Sequence, residues 1–206
     1  MVTVIDYNFG NVMSSINMMR RLGVNAKLSN QKKDILKSNY LILPGNGSFD
    51  SCMENLEKSD LIPIIERKVF QENTPLLGIC VGAQILGNSS EEGKKNGLGW
   101  LNMKVKKFKE NKKIKIPHMG WNYIEKNNSN KNFFQFSKIN NLYKFYFMHS
   151  YYMQAENEKD ILFYTEYGHK FASALANKNI VAVQFHPEKS HKFGKMFFSD
   201  FLRLET

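Results

Sequence analysis

The chain has 206 residues, of which 42% are hydrophobic and 23% charged, with a formal net charge of +10, and these values fit one globular domain with a buried core. No apolar run is long enough for a transmembrane helix, and the two cysteines, Cys52 and Cys80, are too few for a disulfide scaffold or a familiar metal site. No basic leader precedes the apolar N-terminal run, so we expect a cytoplasmic protein with no membrane partner, no metal and no cofactor.

The first half of the chain alternates predicted strands with predicted helices. Strands are expected at 2–5, 25–28, 40–43 and 76–79. One helix runs from an Asn11 cap to about Leu22 and ends at Gly23, a second covers about 61–71, and a third begins just past Cys80. The short apolar strands between helices favour an α/β doubly wound sheet that is mostly parallel at its centre.

The second half has a more β-like pattern. Strands are predicted at 101–108, 144–148, 161–167, 171–176 and 180–185, with a loop at 126–132 and a last helix at about 194–204. Nothing in this pattern divides the chain, so 1–206 is expected to be a single domain. In such sheets, functional sites form at the carboxyl ends of the strands.

The excess positive charge comes almost entirely from lysine, with one cluster between Lys104 and Lys115. A nucleic-acid-binding surface would be expected to contain arginine, interleaved aromatic residues and a known binding module. We therefore expect no nucleic-acid partner. The cluster indicates a solvent-exposed hairpin, with a docking surface for an acidic partner as the alternative.

The segment Gly78-Ile79-Cys80-Val81-Gly82 has the form of a nucleophile elbow, in which a strand turns sharply into a helix. Glycines on both sides relieve the crowding of that turn, and the positive end of the helix dipole favours a thiolate. A buried structural cysteine is the alternative for this pentapeptide alone. Cys52 has no such surroundings and is expected to be structural.

A nucleophilic thiol needs a base and a group that orients the base. Of the five histidines, His186 directly follows a predicted strand, and Pro187 and Glu188 come next. Glu188 can accept a hydrogen bond from one ring nitrogen of His186 while the other ring nitrogen faces Cys80. The sequence therefore predicts a Cys80–His186–Glu188 triad.

A third strand end carries Pro44-Gly45-Asn46-Gly47. Glycines allow backbone N–H groups to point into a site, so this segment, together with the N–H of Val81, can form an oxyanion hole. An ordinary turn is the alternative, because Pro, Gly and Asn are common turn residues.

Together these motifs resemble class I glutamine amidotransferases and, within that family, the glutaminase subunits of imidazole glycerol phosphate synthase (HisH). The similarity extends over nearly the whole chain. It includes the segments Ile5-Asp6-Tyr7 and Gly10-Asn11, the elbow with Ala83-Gln84, Ser89-Ser90-Glu91-Glu92, Gly97-Leu98-Gly99-Trp100, Pro117-His118-Met119-Gly120-Trp121-Asn122, Phe145 to Tyr151, and Gln184 to Ser190. The resemblance implies a class I glutamine amidotransferase-like, flavodoxin-like fold with an additional antiparallel β portion.

The resemblance also implies a function. Cys80 would attack the side-chain amide of L-glutamine, His186 would relay protons, Glu188 would orient His186, and the Asn46-Gly47 backbone with the N–H of Val81 would stabilise the oxyanion. The positions that match glutamine-holding residues are Gln84, Glu92, Ser150 and Tyr151. Trp121 and Lys189 match positions that face the partner near the ammonia passage, although core packing is the alternative for Trp121. The implied partner is a HisF-type (β/α)8 barrel cyclase in histidine biosynthesis.

Several residues depart from the family pattern. Asn46 stands where members usually have a small apolar residue, and Asn tolerates positive φ better. Val81 and Ala83 replace the more common Leu and Met, and Asn8-Phe9 replaces a more glycine-rich loop. One alternative partner is a sugar amidotransferase of surface-glycan biosynthesis, which the Gly97 to Trp100 segment would also suit. A non-catalytic scaffolding relative and a cysteine hydrolase acting on peptides are two further alternatives, and the triad and Gln84 argue against them.

Overall fold

The computed structural model describes residues 1–8, 12–109, 114–130, 136, 139 and 142–204. The Asn11 cap, Gly10 and part of the lysine cluster predicted from the sequence lie outside these residues. No helix in the described ranges is long and apolar enough to cross a membrane.

The amino-terminal half forms the parallel part of the main sheet. Its strands are β1 (Val2–Ile5), β2 (Ala26–Ser29), β3 (Tyr40–Gly45) and β4 (Leu76–Cys80). The order β2-β1-β3-β4 is completed by a late strand that pairs in parallel with β4, Ile180–Val183. All of these strands are predicted from the sequence to within two residues at each end, and the continuous burial of β1, β3 and β4 is typical of strands covered on both faces.

The remaining strands extend this sheet or form a small second sheet. They are β5 (Ser89–Ser90), β6 (Met103–Lys107), β7 (His118–Tyr123), β8 (Glu125–Lys126), β9 (Lys144–His149), β10 (Tyr151–Ala155), β11 (Ile161–Tyr167), β12 (His169–Asn177) and β13 (Ile180–Val183). In the described residues the main sheet has 11 strands, and antiparallel pairing dominates beyond β13. Strands β7 and β9 form a separate antiparallel pair.

The helices are α1 (Val12–Arg21), α2 (Lys32–Leu36), α3 (Phe49–Lys58), α4 (Ile62–Glu66), α5 (Val81–Gln84) and α6 (His191–Phe201). A π-helical turn, Arg67–Gln71, continues α4, so the predicted helix at 61–71 is present with a change of winding. Gly23 follows α1 with a φ of +71°, which agrees with its predicted role as a stop. Helices α2 and α3 were not predicted from the sequence. Helix α3 is capped by Ser48, which accepts a hydrogen bond from the Ser51 N–H.

Two further differences concern the later strands and the last helix. The sequence pattern did not predict β7, β10 or the two-residue strands β5 and β8, and Lys126 of β8 was expected in a loop. The last helix begins three residues earlier than predicted, at His191. In β7 the outward-facing residues are large and apolar, and this obscures the alternation that would reveal a half-buried strand.

The register of the parallel strands brings three chain segments to one edge of the sheet. Gly45 at the end of β3 pairs with Cys80 at the end of β4, and Ile79 pairs with Val183 at the end of β13. The segments that follow these strands are the Pro-Gly-Asn-Gly loop, the elbow and the His186 loop. They therefore meet at the carboxyl edge, where α/β sheets form their sites.

Candidate active site

Cys80 occupies a strained turn between β4 and α5. Its φ is +55° and its ψ is −115°, a combination that an L-residue rarely adopts. Such strain is found mainly at functional sites, where the surrounding structure enforces it. The side chain is almost fully buried, and Cys80 lines a cavity at this edge of the sheet.

The turn is possible because the backbone of the Pro-Gly-Asn-Gly loop packs directly on the elbow. A Cβ atom on Gly45 would lie 2.0 Å from the backbone nitrogen of Gly82, and a Cβ on Gly82 would lie 2.2 Å from the carbonyl oxygen of Leu43. No side chain fits at either position. The two predicted motifs are therefore in direct backbone contact.

His186 and Glu188 lie together at the end of β13, as predicted. Nδ1 of His186 lies 2.7 Å from Oε1 of Glu188, and each side chain is 3% exposed. Strand β9 holds this loop, because the His186 N–H donates to the Tyr146 carbonyl (2.8 Å) and the Tyr146 N–H donates to the Ser190 hydroxyl (3.0 Å). The Ser190 hydroxyl in turn donates to the His186 carbonyl (2.6 Å). Within the described residues, Nε2 of His186 is buried and has no hydrogen-bond partner.

The charge state of His186 reflects two opposing influences. Burial favours the neutral imidazole, but the neighbouring Cys80 and then Glu188 favour the imidazolium, and the net result raises the pKa of His186 to about 10. This arrangement can hold a proton between a thiol and a carboxylate, as a thiolate–imidazolium nucleophile requires.

The cavity beside Cys80 has a volume of about 220 Å³. Its lining includes every residue predicted to form the oxyanion hole or to hold glutamine, namely Asn46, Gly47, Val81, Gln84, Glu92, Ser150 and Tyr151. The structure therefore gathers these residues from four separate parts of the sequence. Pro117, Met148 and His149 also line the cavity, and the sequence analysis did not assign them to the site.

The Pro-Gly-Asn-Gly loop is held at its beginning and takes positive φ at its end. The Tyr7 hydroxyl donates to the Pro44 carbonyl, and Sγ of Cys52 lies 3.0 Å from the same hydroxyl. Asn46 does not have a positive φ, whereas Gly47 has a φ of +97°. The positive φ of this loop is therefore adopted by Gly47 and not by Asn46.

Gln84 and Glu92 are bound to the protein around the cavity. Nε2 of Gln84 donates to the Tyr151 carbonyl (3.1 Å) and to Oε1 of Gln184 (3.0 Å). Glu92 accepts a hydrogen bond from the Phe49 N–H (2.8 Å), and burial raises the pKa of its carboxyl. Gln184 is fully buried, its amide lies 3.9 Å from Sγ of Cys80, and its position just before Phe185 and His186 was the only sequence signal for it.

Trp121 and Lys189 lie outside the cavity. Trp121 is 42% exposed on β7 and stacks on His191 at 5.6 Å, so the core-packing explanation for it is wrong. Nζ of Lys189 lies 5.9 Å from the Tyr146 ring. Trp121 shares the outer face of β7 with Met119 and Tyr123, which are 60% and 57% exposed, and we call these three residues the β7 face.

A second depression of about 500 Å³ borders the β7 face. It is lined by Trp121, Lys144, His191, Lys192 and Phe193. Its lining combines aromatic rings with two lysines, so part of the positive charge of the chain lies beside the exposed ring of Trp121.

Comparisons with known proteins agree with this architecture. Residues 3–204 match the family model described as glutamine amidotransferase class-I. The chain is 50% identical over 206 residues to "Imidazole glycerol phosphate synthase subunit HisH 2" of Methanococcus maripaludis, covering 98% of this chain and 99% of the relative. It is 44% identical over 204 residues to the protein of the same name from Pseudomonas aeruginosa, covering 99% of this chain and 100% of the relative.

The fold is also found among solved structures. A crystal structure of a glutamine amidotransferase superposes with a TM-score of 0.76 at 19% identity and covers 99% of this chain and 98% of its own. The chain thus belongs to the class-I glutamine amidotransferase family and is an enzyme of that type. Within the family, it groups with the HisH subunits.

Proposed function

We propose that this chain hydrolyses L-glutamine to glutamate and ammonia through a thioester on Cys80. The observation that carries the proposal is the burial of a His186–Glu188 pair beside Cys80 in its strained turn. The raised pKa of His186, to which the neighbouring Cys80 contributes, supports the same assignment. Neither the second cysteine nor any other described histidine has these surroundings.

In the first half-reaction, Sγ of Cys80 attacks the side-chain carbonyl carbon of glutamine and forms a carbon–sulfur bond. The carbonyl oxygen becomes an oxyanion, which the N–H of Val81 and the Asn46-Gly47 backbone would stabilise, since all three residues line the cavity. His186 then gives its proton to the departing nitrogen. The carbon–nitrogen bond breaks, ammonia leaves, and the glutamyl thioester remains.

In the second half-reaction, water attacks the thioester and His186 accepts a proton from the water. The carbon–sulfur bond breaks, glutamate leaves, and the sulfur regains its starting form. Glu188 holds Nδ1 of His186 throughout, so that Nε2 faces the reacting atoms. The net change is the consumption of one water and one glutamine.

The cavity wall suits an amino acid with an amide side chain. Glu92 is a half-buried carboxylate whose burial would be offset by the α-ammonium group of the substrate. Ser150 and Tyr151 also line the cavity. Because both N–H groups of Gln84 are already used, we propose that Gln84 holds the Tyr151 carbonyl in place rather than donating to glutamine.

We further propose that the ammonia passes to a HisF-type (β/α)8 barrel cyclase bound as the partner of a heterodimer in the cytoplasm, acting in histidine biosynthesis. Support comes from the HisH names of the relatives and from the β7 face, a row of exposed apolar side chains that a partner would cover. Trp121 and Lys189 are assigned to that interface. The chain would act as one amidotransferase domain over 1–206.

The nucleophile is tested with Cys80→Ala in the presence of the partner. Glutamine hydrolysis is expected to fall to background, whereas synthesis driven by added ammonium salt survives. Cys52→Ser is the matched control, because it changes the other buried cysteine and keeps a donor for Tyr7. An electrophilic glutamine analogue should label Cys80 alone, as read by peptide mass spectrometry. Full glutaminase activity in the Cys80→Ala variant would refute the assignment.

The destination of the ammonia is tested separately. The chain is mixed in turn with a HisF-type cyclase and with a sugar amidotransferase of surface-glycan biosynthesis, and glutamine-dependent product formation is measured. If the chain acts in histidine biosynthesis, product is expected with the cyclase. Product with the sugar enzyme alone would support the surface-glycan alternative and leave the glutaminase chemistry intact.

A further inference from the structure

Two buried histidines outside the proposed triad join the outer sheet to the cavity. His118 is the first residue of β7, His149 is the last residue of β9, and the two face each other in the antiparallel pair. Nδ1 of His118 lies 3.0 Å from Nε2 of His149. Nδ1 of His149 lies 2.7 Å from the carbonyl oxygen of Tyr151, which also lines the cavity.

The direction of each hydrogen bond follows from the fixed partners at the two ends. A carbonyl oxygen only accepts, so Nδ1 of His149 carries the hydrogen, and Nε2 of a neutral His149 must accept from Nδ1 of His118. The remaining nitrogen of His118, Nε2, then accepts from Nδ2 of Asn122 at 3.2 Å.

The orientation of the Asn122 amide is fixed by the backbone. Its Nδ2 donates to the Glu166 carbonyl (2.9 Å), and its Oδ1 accepts from the Tyr123 N–H (2.8 Å). The hydrogen bonds from Asn122 through His118 and His149 to the Tyr151 carbonyl form a continuous series. If either histidine were protonated, two N–H groups would point at each other at one of these contacts. The geometry therefore requires both rings to be neutral and both to carry their hydrogen on Nδ1.

The surroundings of the pair also favour neutral rings. His118 is stacked between Tyr167 (3.9 Å between ring centroids) and Phe147 (4.7 Å), and Phe108 lies 5.4 Å from the ring of His149. Burial lowers the pKa of His118 to about 4. Burial is also the main reason why the pKa of His149 is lowered to about 3.

The two ends of this series lie on different functional surfaces. Strand β7 carries His118 on its inner face and the exposed Met119, Trp121 and Tyr123 on its outer face. At the other end, the Tyr151 carbonyl accepts from both His149 and Gln84. Tyr151 and the adjacent Ser150 both line the cavity.

We infer that His118 and His149 are positioning residues. They form a neutral hydrogen-bonded pair that connects strand β7 to the Tyr151 carbonyl. The pair holds this carbonyl in place, and with it the wall of the cavity that contacts the substrate. The inference rests on the proposed function in that the cavity is taken to hold glutamine. His149 also lines the cavity, but neither histidine has a part in the bond-making steps proposed above. The pair couples the cavity wall to the strand whose outer surface is the β7 face.

Two substitutions of His118 separate hydrogen bonding from packing. His118→Phe keeps an aromatic ring between Tyr167 and Phe147 but removes the donor to His149. His118→Asn removes the ring but keeps a donor at the position of Nδ1. Phe171→Leu is the packing control, because Phe171 contacts both rings and belongs to none of the hydrogen bonds.

The kinetic test measures the KM for glutamine and kcat of each variant in the complex with the partner, and compares the changes in the two constants. A buried acceptor that loses its donor is costly, so His118→Phe should raise KM about tenfold and change kcat much less. His118→Asn and Phe171→Leu should stay within about threefold of the unchanged chain. The opposite ranking, with His118→Asn impaired and His118→Phe normal, would show a packing role and overturn the inference.

The structural readout needs no activity. In ¹⁵N NMR of the histidine rings, both residues should appear as neutral Nδ1–H tautomers between pH 6 and 8, and Nε2 of His149 should shift in His118→Phe but not in His118→Asn. An Nε2–H tautomer or a charged ring at either position overturns the inference. If the unchanged chain fails to hydrolyse glutamine, the proposed function fails, and the NMR result still decides the hydrogen-bond assignment.

Discussion

Glu188 accepts a 2.7 Å hydrogen bond from Nδ1 of His186, with only Pro187 between them in the chain. Both side chains are nearly fully buried, so the carboxylate acts on the imidazole with little solvent screening. Because His186 and Glu188 are separated only by a rigid proline, the local chain conformation largely determines this contact. Its effect on Cys80 depends on the parallel pairing of β13 with β4.

Glu188→Gln keeps an acceptor for Nδ1 of His186 but removes the negative charge. We expect kcat for glutamine hydrolysis to fall by at least roughly tenfold, because the imidazolium form loses its counter-charge. Glu125→Gln is the matched control, since it removes only an exposed ion pair with Lys170. Steady-state kinetics at pH 7.5 provide the measurement, and equal rates for the two variants would contradict the orienting role.

The same substitution should change stability in a pH-dependent way. The pKa of His186 is raised from 6.5 to about 10 in the folded chain, so this group stabilises the fold fully below about pH 6.5 and loses that effect as the pH rises through 10. Removing the charge of Glu188 lowers this pKa. Urea unfolding should show a larger loss of stability for Glu188→Gln at pH 6 than at pH 10, and a loss that grows with pH would have the wrong sign.

Gly45→Ala should disrupt the elbow. Its Cβ would lie 2.0 Å from the backbone nitrogen of Gly82, and backbone cannot move aside as a flexible side chain can. We expect a loss of roughly 3 kcal/mol in the free energy of unfolding, with glutaminase activity near background. Gly23→Ala has open space around its Cβ and only the strain of a φ of +71°, so it should lose about 1 kcal/mol and keep its activity. Chemical denaturation and kinetics test both.

Tyr7→Phe should affect the oxyanion loop more than the fold. The lost hydroxyl donates to the Pro44 carbonyl, and we expect a cost of about 1–2 kcal/mol together with a lower kcat. Tyr40→Phe is the control at the opposite end of β3, where the hydroxyl donates to the carbonyls of Leu202 and Leu204. It should lose similar stability and keep kcat. Equal effects on kcat would remove the special role of Tyr7.

Trp121→Ala should act on partner binding and not on folding. The side chain is 42% exposed, so thermal stability and partner-free turnover are expected to change little, while the Kd for the cyclase rises at least about tenfold. Phe70→Ala removes another half-exposed aromatic ring, away from the β7 face, and should leave the Kd unchanged. Titration calorimetry distinguishes the two, and an unchanged Kd for Trp121→Ala would move the interface elsewhere.

The isolated chain is expected to be a slow glutaminase that a liganded partner activates. The loop after Pro44 is held at its first residue, and only Gly47 takes a positive φ, so a change of loop conformation remains available at Asn46 and Gly47. Turnover is compared with and without the cyclase and its ligand. Equally fast partner-free hydrolysis would contradict a gated loop.

The sequence predicted the central strands, the elbow and the His-Pro-Glu segment because each rests on local rules. Continuous apolar runs indicate buried parallel strands, and paired glycines indicate backbone that approaches other backbone. Cys80, His186 and Glu188 could be named for the same reason. The family resemblance then supplied the residues around them, and the structure gathers those residues in one cavity.

Other features depended on contacts between distant segments and were missed. Helix α3 begins at a serine cap in a stretch that contains no long apolar pattern, and β7 has apolar residues on the face that a partner would cover. The sequence could not distinguish an exposed Trp121 from a buried one. Burial is decided by which strands pair, and β7 pairs with β9 across twenty intervening residues.

By itself, the sequence determined that a thiol, an imidazole and a carboxylate each follow a strand or a turn suited to display them. Only the tertiary structure decided that these strand ends share one edge, that Gly45 packs against Gly82, and that His118 and His149 join β7 to the cavity. The physical reason is the range of the interactions. Turn and strand preferences act between neighbours in the chain, whereas hydrogen bonds and close backbone contacts between distant segments exist only after the sheet has assembled.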